Sequence, residues 1–78
     1  MWRIYMKESE TPETVTYRYA TESTKADGRI IYNKETRKGF IAVPSAKDRK
    51  SPYQEDVTLA EFREQVAGAG FPEYRKAG

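Results

Sequence analysis

Val57-Thr58-Leu59-Ala60-Glu61-Phe62-Arg63-Glu64-Gln65-Val66-Ala67-Gly68-Ala69-Gly70-Phe71-Pro72 is the stretch that sets the architecture. Thr58 and Glu61 have the spacing of a capping box, in which each side chain satisfies a free backbone N–H at a helix start. Val57 and Phe62 occupy the two positions of a hydrophobic staple. Leu59, Phe62, Val66 and Ala69 fall on one helical stripe, while Glu61, Arg63, Glu64 and Gln65 face water. Gly70 stands where a left-handed cap is wanted, Phe71 can fold back on Val66, and Pro72 stops the helix. One amphipathic helix is therefore expected over about 58–69, and its apolar stripe needs a surface to cover it.

The residues before it supply that surface as strands. Trp2, Ile4 and Met6 alternate with Arg3, Tyr5 and Lys7, the period of a half-buried strand. After a charged turn containing Pro12, alternation resumes with Val15, Tyr17 and Tyr19 on one face and Thr16, Arg18 and Ala20 on the other. Asp27-Gly28 is a tight-turn signal. Strands are expected over 2–7, 14–21, 29–33 and 40–43, with Asn33 and Gly39 bracketing a polar tip and Pro44 ending the last. Residues 44–57 read as a polar surface loop in which Ser51-Pro52 can start one helical turn, and 73–78 as a tail.

Short connections make an antiparallel meander the simplest topology. The expected fold is a two-layer α+β domain over 1–78: a four-stranded antiparallel β-meander with one C-terminal α-helix packed on one face. The expected core is Trp2, Ile4, Met6, Val15, Tyr17, Tyr19, Ile41, Val43, Leu59, Phe62, Val66 and Phe71. To these the third strand adds either Ile30 and Tyr32 or Ile31. Its register stays open, because Ile30 and Ile31 are adjacent and must point opposite ways.

The 78 residues include no histidine and no cysteine. The usual proton shuttle at neutral pH, the readiest nucleophile and most zinc or copper ligands are therefore missing. The carboxylates Glu8, Glu10, Glu13, Glu55 and Asp56 fall in solvated turns, where nothing drives their pKa values apart for acid–base work. No calcium-loop rhythm is present. The expectation is a protein that is not an enzyme and takes no metal and no cofactor. With no leader-like start and no run of roughly 20 apolar residues, a cytoplasmic, non-membrane protein is expected.

Charge is uneven. The stretch from Arg29 to Lys50 carries +5, whereas the flanking parts carry −1 and −2. Lys34, Arg37, Lys38, Lys47, Arg49 and Lys50 form a candidate basic rim, although loop lysines are most often simply solvated. One helix covers one sheet face, so Arg3, Tyr5, Arg18 and Arg29 are expected on the other as a candidate binding face. Tyrosine and arginine are enriched at protein interfaces, which favours a noncatalytic protein-interaction module whose partner is another protein or a second copy of the chain. The alternative is single-stranded nucleic-acid binding, with bases stacked on Tyr5 and phosphates on the rim.

Overall fold

Trp2, Ile4 and Met6 do not lie beneath the helix; Arg3 and Tyr5 do. The computed structural model describes residues 1–51 and 53–78 in full, and Pro52 only as the first residue of its helix. Its elements are β1 (Arg3–Glu10), β2 (Thr14–Thr21), β3 (Gly28–Asn33), β4 (Lys38–Val43), α1 (Pro52–Gln65) and β5 (Tyr74–Ala77), with 3-10 turns at Asp48–Lys50 and Ala67–Ala69. The strands form one antiparallel sheet in the order β4-β3-β2-β1-β5. A small α+β fold with the helix on one face is what the strand and helix patterns predict, but the sheet has a fifth strand.

Cross-strand pairing fixes the faces. Tyr5 stands opposite Tyr19, so both share the face that carries Tyr17 and Val15. Their rings stack at 6.3 Å, and Phe62 of α1 meets Tyr5 and Tyr17 edge-on at 5.8 and 5.2 Å. Such aromatic pairs add about 0.5–1.5 kcal/mol each beyond the area they bury. The third strand contributes Ile30 and Tyr32, both buried in the same core, and leaves Ile31 on the far face. Phe62, touched by three tyrosine rings and fully enclosed, is the centre of this core.

Apolarity predicts the opposite orientation for the first strand, because isoleucine and methionine are its more apolar residues. Burial followed hydrogen bonding instead. The Tyr5 hydroxyl donates to Glu61 Oε1 at 2.6 Å, and Arg3 donates to the same oxygen at 3.4 Å. A tyrosine buries a large ring and keeps one donor, so a helix that brings a carboxylate favours it over Ile4. Ile4 is buried too, but on the far side with Ala20 and Ala26, where Trp2 packs against them. The connection between β2 and β3 thus covers one end of the face that a single helix leaves open. Met6, placed in the expected core, is exposed.

The helix begins six residues earlier than Thr58, at Pro52, with Ser51 as N-cap and proline at the first position. Proline suits that position because its missing N–H has no partner there anyway. Thr58 and Glu61 are therefore no capping box. Both lie inside α1, and their side chains are used by residues far away in sequence. Thr58, Phe62 and Val66 form the buried stripe, with Leu59 half-buried beside it. The expected stop does hold: Gly70 is left-handed at φ 79°, and the Phe71 N–H returns to the Val66 carbonyl at 3.0 Å.

The expected tail is β5. Once Pro72 has ended the helical segment, the Lys7 N–H donates to the Glu73 carbonyl at 2.9 Å and the chain runs back along β1. The sequence Tyr74-Arg75-Lys76 has no apolar alternation, because only Ala77 of this strand enters the core. Gly28 also differs from its expected role. A Cβ there would sit 2.3 Å from the Tyr19 ring, so glycine is needed for close approach and not for a left-handed turn.

Candidate binding face

The sheet divides the expected binding residues between its two sides. Arg3 and Tyr5 are buried under α1, and Arg18 and Arg29 are exposed on the opposite face. They form no common surface. Two arginines of the expected set remain together, directly opposite one another on β2 and β3.

Beneath the helix the polar residues form a closed network. Asp48, at the start of a 3-10 turn, is fully buried. Its Oδ2 accepts from the hydroxyls of Tyr19 and Thr58, both at 2.9 Å, and its Oδ1 accepts from Thr21 at 3.0 Å. Thr21 in turn accepts from Arg3 Nε at 3.1 Å, and Arg3 reaches Gln54 of α1 at 2.9 Å. This chain joins β1, β2, the 3-10 turn and α1. Burial pushes the phenols of Tyr5, Tyr17 and Tyr19 above the usual range, and Glu61 beside Tyr5 and Asp48 beside Tyr19 act in the same direction. Phenols held protonated and donating to fixed acceptors are clamps. Sequence reading missed Asp48, Thr58 and Glu61 as partners, because hydroxyl-to-carboxylate bonds between remote positions leave no periodic signal.

The open face has a regular layout. Tyr74, Met6, Arg18, Arg29 and Val43 stand opposite one another across all five strands, making one transverse row. Thr16, Ile31 and Phe40 make a shorter row beside it. Met6 is 41% exposed, Phe40 56% and Tyr74 55%, so large apolar side chains flank the two arginines in open solvent. Like charges placed directly opposite on neighbouring strands are destabilising. Here the cost is reduced locally: Arg18 Nε donates to the Ala26 carbonyl at 3.2 Å, and Arg29 pairs with Glu8 at 3.0 Å.

The expected basic rim is not one rim. Lys34, Arg37 and Lys38 lie at the hairpin end of β4, and Lys47, Arg49 and Lys50 lie past its other end. Several are already engaged. Lys34 binds Glu10, whose carboxyl is lowered to about 2 by that hydrogen bond and by a second one from Lys7. Lys47 binds Glu22, and Arg49 Nε donates to the Pro44 carbonyl at 3.2 Å.

Among the described residues no group of three or more acidic side chains could hold a metal ion. Among the described residues no helix is long and apolar enough to cross a membrane. Comparison with protein-family models, with curated proteins and with solved structures finds no match to this chain.

Proposed function

We propose that this chain is a noncatalytic protein-interaction module whose open sheet face takes an acidic segment of a partner protein carrying apolar side chains. The observation that carries this reading is the transverse row, in which two adjacent arginines are flanked by exposed Met6 and Tyr74. Interfaces are enriched in Tyr, Met and Arg, and a central cation pair needs a complementary anion when it is desolvated. A second copy of the chain is the weaker occupant, because stacking two such faces would bring four arginines toward one another.

The alternative reading, single-stranded nucleic acid, loses its Tyr5 platform to the core. Phe40 and Tyr74 remain exposed, but they stand on the two outermost strands, about 19 Å apart at ordinary strand spacing, and the two open-face rows place Met6, Arg18, Arg29, Thr16 and Ile31 between them, none of them aromatic. Bases stack best on contiguous rings.

Selection from a random peptide library tests the proposal, with Arg18→Glu/Arg29→Glu as the counter-target. The expected result is enrichment of peptides combining Asp or Glu with aromatic or aliphatic residues, and loss of that enrichment on the double variant. Equal enrichment on both proteins overturns it. Saturable, steeply salt-dependent binding of short oligonucleotides to the same face would transfer the site to nucleic acid.

A further inference from the structure

On the helix-covered side, where the β3–β4 hairpin approaches the end of α1, a cleft of about 400 Å³ opens between Tyr32, Lys34, Arg37, Arg63 and Phe71. Its size is that of a small-ligand site. Tyr32 and Phe71 form an aromatic wall, with ring centroids 5.6 Å apart, and Lys34 Nζ lies 5.4 Å from the Phe71 ring centre. Three cations reach the cleft, two from the β3–β4 hairpin loop and one from α1, and among the described residues no carboxylate lines it. Lys34 is held by Glu10, while Arg37 and Arg63 make no ion pair among the described residues.

Backbone conformation sets this cleft apart from an ordinary basic surface. Arg37 has φ 59° and Phe71 φ 60°, and with Glu22 they are the non-glycine residues in the left-handed region. That conformation is strained for a residue with a side chain. Arg37 closes a hairpin loop in which Asn33 Oδ1 accepts from the N–H groups of Glu35 and Thr36, and glycine would serve its position better. Strained residues that persist cluster at ligand sites. The helix end does not oppose an anion strongly, since the carbonyls of Phe62, Val66 and Ala67 each accept an N–H.

We infer that this cleft binds a phosphate monoester of mononucleotide size, its phosphate held between the Arg37 and Arg63 guanidiniums and its flat organic part against Tyr32 and Phe71. Guanidinium forks match phosphate oxygens in bidentate geometry, and two of them suit a doubly charged group. Phe71 supplies the stacking surface. The site lies across the sheet from the open face and does not depend on the protein-binding reading.

Amide NMR titration of the full chain with adenosine monophosphate, phenyl phosphate, inorganic phosphate and adenosine tests it. The expected result is saturable shifts at residues 34–39 and 63–71 with an aromatic phosphate, about tenfold tighter than with inorganic phosphate, and none with adenosine. Arg63→Gln, at an exposed helical position, should weaken binding about tenfold. Arg37→Gly separates binding from folding: relieving the left-handed strain should raise the melting temperature by roughly 4 °C while binding falls about tenfold. Absence of saturation below about 10 mM overturns the inference. So does inorganic phosphate binding as tightly as the aromatic esters, or unchanged affinity in Arg63→Gln.

Discussion

On the face under α1, the hydroxyls of Tyr5, Tyr17 and Tyr19 each donate to a fixed oxygen, and Arg3 is enclosed by partners from β2 and the helix. On the opposite face Tyr74 is exposed and two arginines stand side by side, eased only by a loop carbonyl and one surface ion pair. The same residue types are structural on one side and unspent on the other. The covered face satisfies almost every polar atom it buries, Ser45 Oγ being the exception among the described side chains. A chain of this length has little stability to spare. It satisfies its interior polar groups carefully yet keeps apolar and like-charged groups exposed outside, and that difference supports binding on the open side.

The contrast breaks most visibly at two phenylalanines, Phe62 of α1 in the covered core and Phe40 of β4 on the open face. Phe62→Ala should cost about 3–5 kcal/mol, since it removes the ring that Tyr5, Tyr17 and Tyr32 all touch. That is enough to unfold a domain of this size. Phe40→Ala should change stability by no more than about 0.5 kcal/mol, because the ring is already largely in water. Urea melts of the two variants decide it; a large loss in Phe40→Ala would mean that the outer face carries part of the core.

Next in size is the buried carboxylate. Asp48→Ala should cost about 3 kcal/mol, because Tyr19, Thr21 and Thr58 all lose their acceptor at once. Thermal melting measures it, and a loss below about 1 kcal/mol would show that the network does not clamp the 3-10 turn to the sheet.

Much of this was legible and some was not, for physical reasons. Strand period, Gly70 and Pro72 are local signals, and local signals located β2, β3, β4 and the end of the helical segment. Glu61 is the instructive failure. Spaced three from Thr58, it satisfied the pattern of a capping box, yet Tyr5 and Arg3 claim its carboxylate from the other end of the chain. Once Glu61 faces inward, Tyr5 follows it, and every side chain of β1 changes face, since a strand alternates with a period of two. Apolarity alone points Ile4 and Met6 inward, and this remote contact reverses β1 and with it moves half of the candidate binding face. β5 escaped for the opposite reason, its place being set by ladder bonds and Ala77 and not by any apolar pattern.

The covered phenols also predict a pH limit. Their folded pKa values lie above the ordinary value of about 10, so the unfolded chain loses these protons first. Stability from Tyr5, Tyr17 and Tyr19 is then complete below pH about 10 and declines as pH rises beyond it. Absorbance of ionised tyrosine should rise together with the loss of far-UV ellipticity. If these phenols ionise while the fold persists, they are not held as the covered face requires.

The smallest effect tests the argument for an acidic partner most directly. A double-mutant cycle with Arg18→Thr and Arg29→Thr removes from the comparison the separate losses of the Ala26 and Glu8 contacts, and leaves the coupling between the two guanidiniums. Cross-strand repulsion should appear as an unfavourable coupling of about 0.2–1 kcal/mol at low salt. It should shrink toward zero near 1 M salt, where the Debye length is about 3 Å. An unfavourable term means the free protein retains two opposed charges at a cost in stability, which an acidic segment would neutralise on binding. A zero or favourable term would mean the arginines tolerate one another without a partner. The open face would then lose its electrostatic case for an acidic ligand, while Met6, Phe40 and Tyr74 would still mark it as an apolar contact surface.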